Sequence, residues 1–189
     1  MKTLALVLVL AVSPVFAQTA AQNTPAPAND PWKALGFLNG TWEAKARGSG
    51  GASAAGTYTF QRELNGHILA RHSTKSGCNG PKDFDCEHAD IFYVFEEAPG
   101  QALKAIYFDN EGHVIHYDVS TPSSATAIFL SESSQPGPQF RLVYELKDSA
   151  MWGKFQMRMP GQTEWTSYLE WSGPNIGLRL LKNAAQGAH

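Results

Sequence analysis

The sequence predicts an all-β protein, a single antiparallel up-and-down β-barrel of about ten strands with a short N-terminal helix. From Phe140 to Lys147, apolar residues alternate with mostly charged ones, the period of a strand with one apolar face. The sequence contains no helical pattern long enough to cover such a sheet, so the sheet must close on itself. About ten such segments follow one another through mostly short links, which favours an up-and-down barrel over a Greek-key sandwich.

The first 17 residues have the pattern of a secretory signal peptide. Lys2 supplies the positive charge, Leu4–Val12 is an apolar run too short to span a membrane, and Val15-Phe16-Ala17 is a small-residue cleavage site. We expect cleavage after Ala17 and a periplasmic or secreted protein. Residues 18–30 are rich in Ala, Pro, Gln and Asn, and are predicted to be a disordered linker.

The predicted barrel domain covers residues 31–175 and is followed by a polar tail, residues 176–189. Asp30-Pro31 has the pattern of an N-cap and first helical position, and Asn39-Gly40 should end the helix. Asn65-Gly66 is a strong hairpin signal. The predicted strands are Thr41–Arg47, Gly56–Leu64, His67–Lys75, Asp90–Glu96, Leu103–Asp109, His113–Val119, Ala125–Leu130, Phe140–Lys147, Lys154–Met159 and Thr163–Trp171.

Cys78 and Cys86 are the two cysteines of the chain and lie eight positions apart in a polar loop. In an oxidising compartment they are predicted to form a disulfide, which on the chain-entropy model stabilises the fold by about 2.5 kcal/mol. Zinc is the alternative, but the spacing from Cys78 through Cys86 to His88 differs from that of common zinc sites.

The composition and motifs exclude several classes of function. The formal net charge of −2 gives no excess of positive charge for nucleic acid. The sequence has no nucleophile elbow, phosphate loop or dinucleotide fingerprint, so no catalytic residue is predicted. The pairs His113/His116 and His67/His72 are separated by odd numbers of residues and face opposite sides of a strand, so no metal site is predicted.

Ten strands are enough to enclose a cavity, because eight already hold a small ligand. Strand alternation assigns a set rich in aromatic residues and methionine to the interior, and Tyr93 joins it from a strand that is apolar on both faces. Such residues suit a small apolar or amphipathic ligand, although the same stripe also fits a filled core. The predicted ligand-binding residues are Tyr58, Phe60, Arg62, His72, Tyr93, His113, Tyr144, Phe155, Met157, Trp165 and Leu169.

Arg62 is the charged residue in this predicted lining. An unpaired charge in the interior would be costly. Arg62 therefore requires a carboxylate from the protein, a carboxylate-bearing ligand such as a fatty acid, or a position near the open rim.

Phe37-Leu38-Asn39-Gly40-Thr41-Trp42 resembles the Gly-x-Trp start of lipocalin-type (calycin) barrels, in which a short helix leads into the first strand. The resemblance implies that Trp42 plugs one end of the barrel. Arg62–His67, Tyr107–Asp109 and Tyr168–Trp171 are similar to the DUF1579 group, whose fold resembles nitrobindin-like and fatty-acid-binding barrels.

The resemblance covers about residues 37–171 and implies that a small apolar molecule binds inside the barrel. Nitrobindins carry haem on a histidine late in the chain, and the strand Thr163–Trp171 has none, so no cofactor is expected.

We therefore predict an exported, non-catalytic barrel that binds a small molecule. One alternative is a haem-binding or isomerase-type barrel enzyme that uses His72 or His113. Another is an envelope interaction or inhibitor module that uses the outer surface or the loop Gly48–Ala55. The reverse phase, with apolar side chains outside, would give an outer-membrane barrel, but the short links and the polar ending Asn183–His189 favour apolar inside.

Overall fold

The computed structural model describes residues 30–82, 84–132 and 137–177. The predicted signal peptide, nearly all of the predicted linker and most of the predicted tail lie outside these residues. No helix in the described ranges has the length and apolar character needed to cross a membrane.

Ten antiparallel strands close into one barrel, which confirms the predicted fold class. Each strand pairs with its neighbours in sequence, and the first strand pairs with the last to complete the ring. The strands are β1 (Gly40–Gly48), β2 (Ser53–Glu63), β3 (Ile68–Asn79), β4 (Asp90–Glu96), β5 (Leu103–Asp109), β6 (Val114–Ser123), β7 (Thr126–Ser131), β8 (Gln139–Lys147), β9 (Ala150–Arg158) and β10 (Thr166–Pro174).

The short helix before the barrel forms as its capping residues predict. Helix α1 (Pro31–Ala34) begins with Pro31 at its first turn, and the Asp30 carboxylate accepts a hydrogen bond from the backbone N–H of Trp32 at 3.0 Å. A 3₁₀ turn (Gly36–Leu38) follows and leads directly into β1. Two further 3₁₀ turns, Ser49–Gly51 and Leu64–Gly66, lie at the β1–β2 and β2–β3 links.

The helix and the 3₁₀ turn seal one end of the barrel. Leu35 and Leu38 are 1% and 0% exposed, and burying each contributes about 1.5–3 kcal/mol. Trp42 is buried beneath them, and its indole Nε1 donates to the Leu38 carbonyl at 2.8 Å. The structure thus places Trp42 at the sealed end, where the lipocalin resemblance puts a plug.

Solid aromatic packing fills this half of the barrel below the seal. The Phe92 and Phe129 rings meet edge to face with centroids 4.9 Å apart, and Phe60 meets Tyr144 in the same way at 5.2 Å. All four side chains are at most 1% exposed. The filled-core interpretation of the apolar stripe is therefore correct for this half of the barrel.

The opposite end of the barrel is open. β3 pairs with β4 only through Ile68–His72, so the outer part of β3 pairs with β2 alone and extends past the ring. The predicted disulfide between Cys78 and Cys86 is confirmed, and it ties the end of β3 to the loop that leads to β4. This loop borders the mouth of the barrel.

Candidate functional site

The open half of the barrel encloses a cavity of about 1120 Å³. This volume is slightly above the roughly 300–1000 Å³ that small-molecule sites commonly have. Most of the wall is apolar or aromatic. The larger apolar and aromatic side chains of the wall are Tyr58, Phe84, Tyr107, Ile115, Tyr117, Phe140, Leu142, Tyr144, Phe155, Met157, Tyr168, Leu169 and Trp171.

The space in this half comes from small residues on one side of the ring. Ala44, Ala46, Ala54 and Gly56 line the cavity on β1 and β2, next to the bulky side chains of β8 to β10, which follow β1 around the ring. Because alanine and glycine project little beyond the backbone, the barrel cannot be filled from this side.

Arg71 is a buried charge at the inner end of the cavity. β3 brings it inward, and only 6% of it is exposed. Its Nη1 donates to the Tyr144 hydroxyl at 2.7 Å, and its Nη2 makes a salt bridge with Asp90 at the start of β4. Its guanidinium also lies 5.4 Å from the centre of the Phe92 ring.

The surroundings of Arg71 keep it charged. Burial lowers the pKa of the Arg71 guanidinium, but Tyr144 and Asp90 raise that pKa by more, so that it lies above its ordinary value. Burial raises the pKa values of Tyr58 and Tyr144, so that both hydroxyls stay protonated at neutral pH. The floor of the cavity is therefore an ion pair among neutral tyrosines.

Three buried polar atoms at this floor have no hydrogen-bond partner among the described residues. They are the Tyr58 hydroxyl, Arg71 Nε and Asp90 Oδ1. All three residues line the cavity. An unsatisfied buried polar group costs about 1–3 kcal/mol, so this floor is polar and incompletely paired beneath an apolar wall.

A hydrogen-bonded network of polar side chains surrounds part of the mouth. His88 Nδ1 lies 3.0 Å from Glu111 Oε1, and His88 Nε2 lies 2.9 Å from the Tyr107 hydroxyl. Burial, followed by the charges of Asp90 and Asp109, raises the pKa of Tyr107. Tyr107 therefore keeps its hydroxyl proton at neutral pH.

His113 and Asp109 form a second contact at the mouth, with His113 Nδ1 2.9 Å from the Asp109 carboxylate. The hydrogen bond to Asp109, its charge and that of Glu111 raise the pKa of His113. Desolvation opposes ionisation of Asp109, but hydrogen bonds from the backbone and side chain of His113 lower its pKa overall.

Titration of His113 by NMR should show this coupling. We expect the His113 pKa to lie above its ordinary value, and to be lower in Asp109→Asn than in the wild-type protein. The contribution of His113 to stability is present below its unfolded pKa and is lost as the pH rises through its folded pKa. The contribution of Asp109 to stability is present above its unfolded pKa and is lost as the pH falls through its folded pKa. Equal His113 pKa values in both proteins would contradict the contact.

Six of the predicted site residues lie on the cavity wall, where their role in binding stays a prediction. These are Tyr58, His113, Tyr144, Phe155, Met157 and Leu169. Phe60 also points inward, but it belongs to the sealed half of the barrel.

Arg62 pairs with the buried Leu69 and so lies on the predicted inward side of β2, but it does not line the cavity. Arg62 lies near the sealed end, where its guanidinium stacks 3.7 Å from the centre of the Trp32 ring and donates to the Gly66 carbonyl. Burial lowers the pKa of Arg62 and the charges of Asp30 and Glu96 raise it, with a net lowering. Arg62 therefore lies away from both the open rim and the cavity, so it gives no support to a carboxylate-bearing ligand.

The inward positions predicted for His72 and Tyr93 are wrong. His72 follows the inward Arg71 and therefore points outward, where its Nε2 lies 2.8 Å from Glu63. Tyr93 lies between the fully buried Phe92 and Val94, so it faces the outside of β4.

Trp165 is placed outside the barrel because of a β-bulge. β10 begins at Thr166, and the register against β9 shifts between Ser167 and Leu169, so Tyr168 is an extra residue. One extra residue reverses the alternation, and everything before the bulge changes face. The Trp165 ring lies on the outer surface, 4.3 Å and 4.7 Å from the guanidinium carbons of Arg141 and Arg158.

Arg71 and Asp90 were absent from the predicted site. The sequence contained one signal for Arg71, because a two-residue turn at Asn65-Gly66 pairs Phe60 with Arg71. Directly paired residues share a face, so an inward Phe60 implies an inward Arg71. Asp90 had no comparable signal, since its position depends on where β4 joins β3 after the disulfide loop.

The fold and the site define a closed ten-stranded antiparallel β-barrel with an interior cavity that is open at one end. No family model matches the sequence, and no curated protein matches it. The resemblance to the DUF1579 group therefore stays a prediction.

Several solved structures are similar to this chain at low identity. The structure of EF1p2_mFAP2b bound to DFHBI has 12% identity and a TM-score of 0.34, over 76% of this chain and 97% of that chain. A de novo designed fluorescence-activating β-barrel has 10% identity and a TM-score of 0.35 over the same shares. A redesigned β-barrel has 12% identity and a TM-score of 0.33, over 74% and 92%. Similarity at these TM-scores says nothing about function.

Proposed function

We propose that this protein is an exported, non-catalytic β-barrel that binds a small apolar or amphipathic molecule in its interior. The cavity of about 1120 Å³ in the open half of the barrel carries this proposal. Its wall of aromatic, aliphatic and methionine side chains would take apolar surface out of water, at roughly 25 cal/mol for each Å².

The division of the barrel into two halves supports a binding role. The sealed half supplies a rigid, fully packed base, while the small residues of β1 and β2 leave the other half open. A pre-formed cavity of this kind binds ligands without the entropy cost of ordering the site.

Export and family membership are part of the proposal. The N-terminal signal-peptide pattern supports export, and so does the disulfide at the mouth, because disulfides persist in oxidising compartments. The position of Trp42 against the helix supports a calycin-type barrel of the DUF1579 kind.

Binding of the neutral fluorescent probe N-phenyl-1-naphthylamine tests the proposal. We expect its fluorescence to rise on binding, and Ala46→Trp to raise its Kd at least about tenfold, because the new indole would fill the cavity beside Trp171. Lys45→Trp is the matched control, since Lys45 is the exposed neighbour of Ala46 and points outward.

The comparison between the two variants decides the location of binding. Equal probe affinity in Ala46→Trp and Lys45→Trp would place the probe outside the cavity. No binding to the wild-type protein would contradict the proposed function. Circular dichroism of both variants checks that each is folded.

Haem binding is a second candidate function, favoured by one observation at the mouth. His113 Nδ1 is bonded to Asp109, while its Nε2 makes no hydrogen bond with the described residues, an arrangement common among metal-binding imidazoles. His113 would then be the axial ligand. A Soret band on haem titration that is lost in His113→Gln would support this function, and the same spectrum in both proteins would contradict it.

A further inference from the structure

We propose that the ligand of this cavity carries an uncharged polar head group with both a hydrogen-bond donor and an acceptor, held at the floor by Arg71, Asp90 and Tyr58. This inference rests on the proposed function. It specifies the class of ligand: a neutral amphipathic molecule, such as an amide, and not a fatty-acid anion.

The unpaired atoms at the floor define the hydrogen-bonding pattern of the head group. Arg71 Nε offers a donor, Asp90 Oδ1 offers an acceptor, and the Tyr58 hydroxyl can act as either. A primary amide complements this set, because its carbonyl accepts from Arg71 and its N–H donates to Asp90. The floor thus requires both kinds of group from one ligand.

The ion pair at the floor disfavours a charged head group. The charge of Arg71 is already balanced by Asp90 through a direct salt bridge. A carboxylate at the floor would lie against the Asp90 carboxylate, and an ammonium group would lie against the Arg71 guanidinium. In a buried site either repulsion is stronger than in water.

The remaining charges of the cavity oppose anionic ligands in particular. Asp85, Glu87, Asp109 and Glu111 line it toward the mouth, while Lys75 is the one lysine that lines it. A cleft whose walls carry mostly negative charge lowers the local concentration of anions. A carboxylate would therefore be disfavoured both on its way in and at the floor.

The depth of the cavity suits a medium-length chain behind the head group. Arg71 at the floor and Cys78 at the mouth are seven residues apart on β3. At about 3.3 Å per residue and a strand tilt near 40°, this separation is roughly 18 Å along the barrel axis. An extended ten-carbon chain fits within that depth.

Calorimetric titration with three ten-carbon ligands tests the inference at pH 7. The ligands are decanamide, decanoate and decylammonium. We expect decanamide to bind at least about tenfold more tightly than either charged ligand. In Asp90→Asn, which keeps the shape of the side chain but removes its charge, we expect the preference of decanamide over decanoate to fall at least about tenfold, because Arg71 loses its counterion.

Tyr58→Phe provides a milder variant that removes one hydroxyl. We expect it to weaken decanamide binding about three- to tenfold, the effect of losing one hydrogen bond. Tyr93→Phe is the matched control, since Tyr93 faces outward, and its decanamide Kd should equal that of the wild-type protein.

Three results would overturn the inference. They are decanoate or decylammonium binding as tightly as decanamide, an unchanged preference in Asp90→Asn, and an unchanged decanamide Kd in Tyr58→Phe, which would mean that only ordered water pairs with the floor. If N-phenyl-1-naphthylamine still binds, the proposed function survives any of these results. If neither the probe nor any ten-carbon ligand binds, both proposals fail.

Discussion

Replacing Arg71 by methionine is expected to lower the free energy of unfolding by about 3–5 kcal/mol. Methionine replaces the aliphatic stem of the side chain but leaves Asp90 without its counterion and the Tyr144 hydroxyl without its donor. Removing one partner of a buried ion pair is costly because the other charge stays out of water. Urea unfolding, followed by tryptophan fluorescence at pH 7, measures the change.

The double variant Arg71→Met/Asp90→Leu is the control for this prediction. Removing both charges together leaves no unpaired ion, so we expect it to recover at least half of the stability lost in Arg71→Met. A loss below about 1 kcal/mol in Arg71→Met would contradict the burial of the ion pair, since that value is typical of exposed pairs. Equal losses of unfolding free energy in the single and double variants would instead show that the destabilisation comes from lost packing.

Trp42→Ala is expected to destabilise the protein by about 3–5 kcal/mol, the usual cost of truncating a buried tryptophan. Trp42 fills the sealed end under Leu35 and Leu38, and its indole N–H holds the Leu38 carbonyl. Its loss would create a cavity at the base of the barrel and free the helix. Chemical unfolding measures the change, together with proteolysis between α1 and β1.

Trp152→Ala is the matched control for the sealed end. Trp152 is 48% exposed on the outer face of β9, so the same truncation should change the unfolding free energy by no more than about 0.5 kcal/mol. Trp42→Phe should recover part of the lost packing without the hydrogen bond. Equal stabilities of Trp42→Ala and Trp152→Ala would contradict a structural role for the sealed end.

Local signals in the sequence were sufficient for the architecture. The Asp30-Pro31 cap, the Asn65-Gly66 turn and the alternation of β8 each act over a few residues, and each has the predicted form in the structure. The turn holds because Asn65 and Gly66 adopt φ values of 56° and 85°, which these two residue types tolerate. A sheet of ten such consecutive strands buries its apolar face by closing into a barrel.

The candidate site was predicted only in part, because the face of the sheet on which a side chain lies depends on the register between strands. Strand alternation is unbroken from Met157 and from Leu169 toward the core, and both residues line the cavity. Trp165 lies before a β-bulge that is visible only in the pairing of β9 with β10. Strand alternation without this bulge assigns Trp165 to the wrong face of the sheet. The position of His72 is wrong for a related reason: the apolar Ala70 indicates one inward phase for β3, but the charged Arg71, which pairs with the inward Phe60, sets the other.

The sequence by itself determined an all-β chain of ten strands, the position of its turns and its disulfide, because each of these follows from contacts between residues close in the chain. The tertiary structure decided which half of the barrel is filled and which is open, and it brought Arg71, Asp90 and Tyr144 together from three strands. The physical reason is that burial and charge pairing depend on which strands lie across the ring from one another. That arrangement is established only when β1 closes on β10.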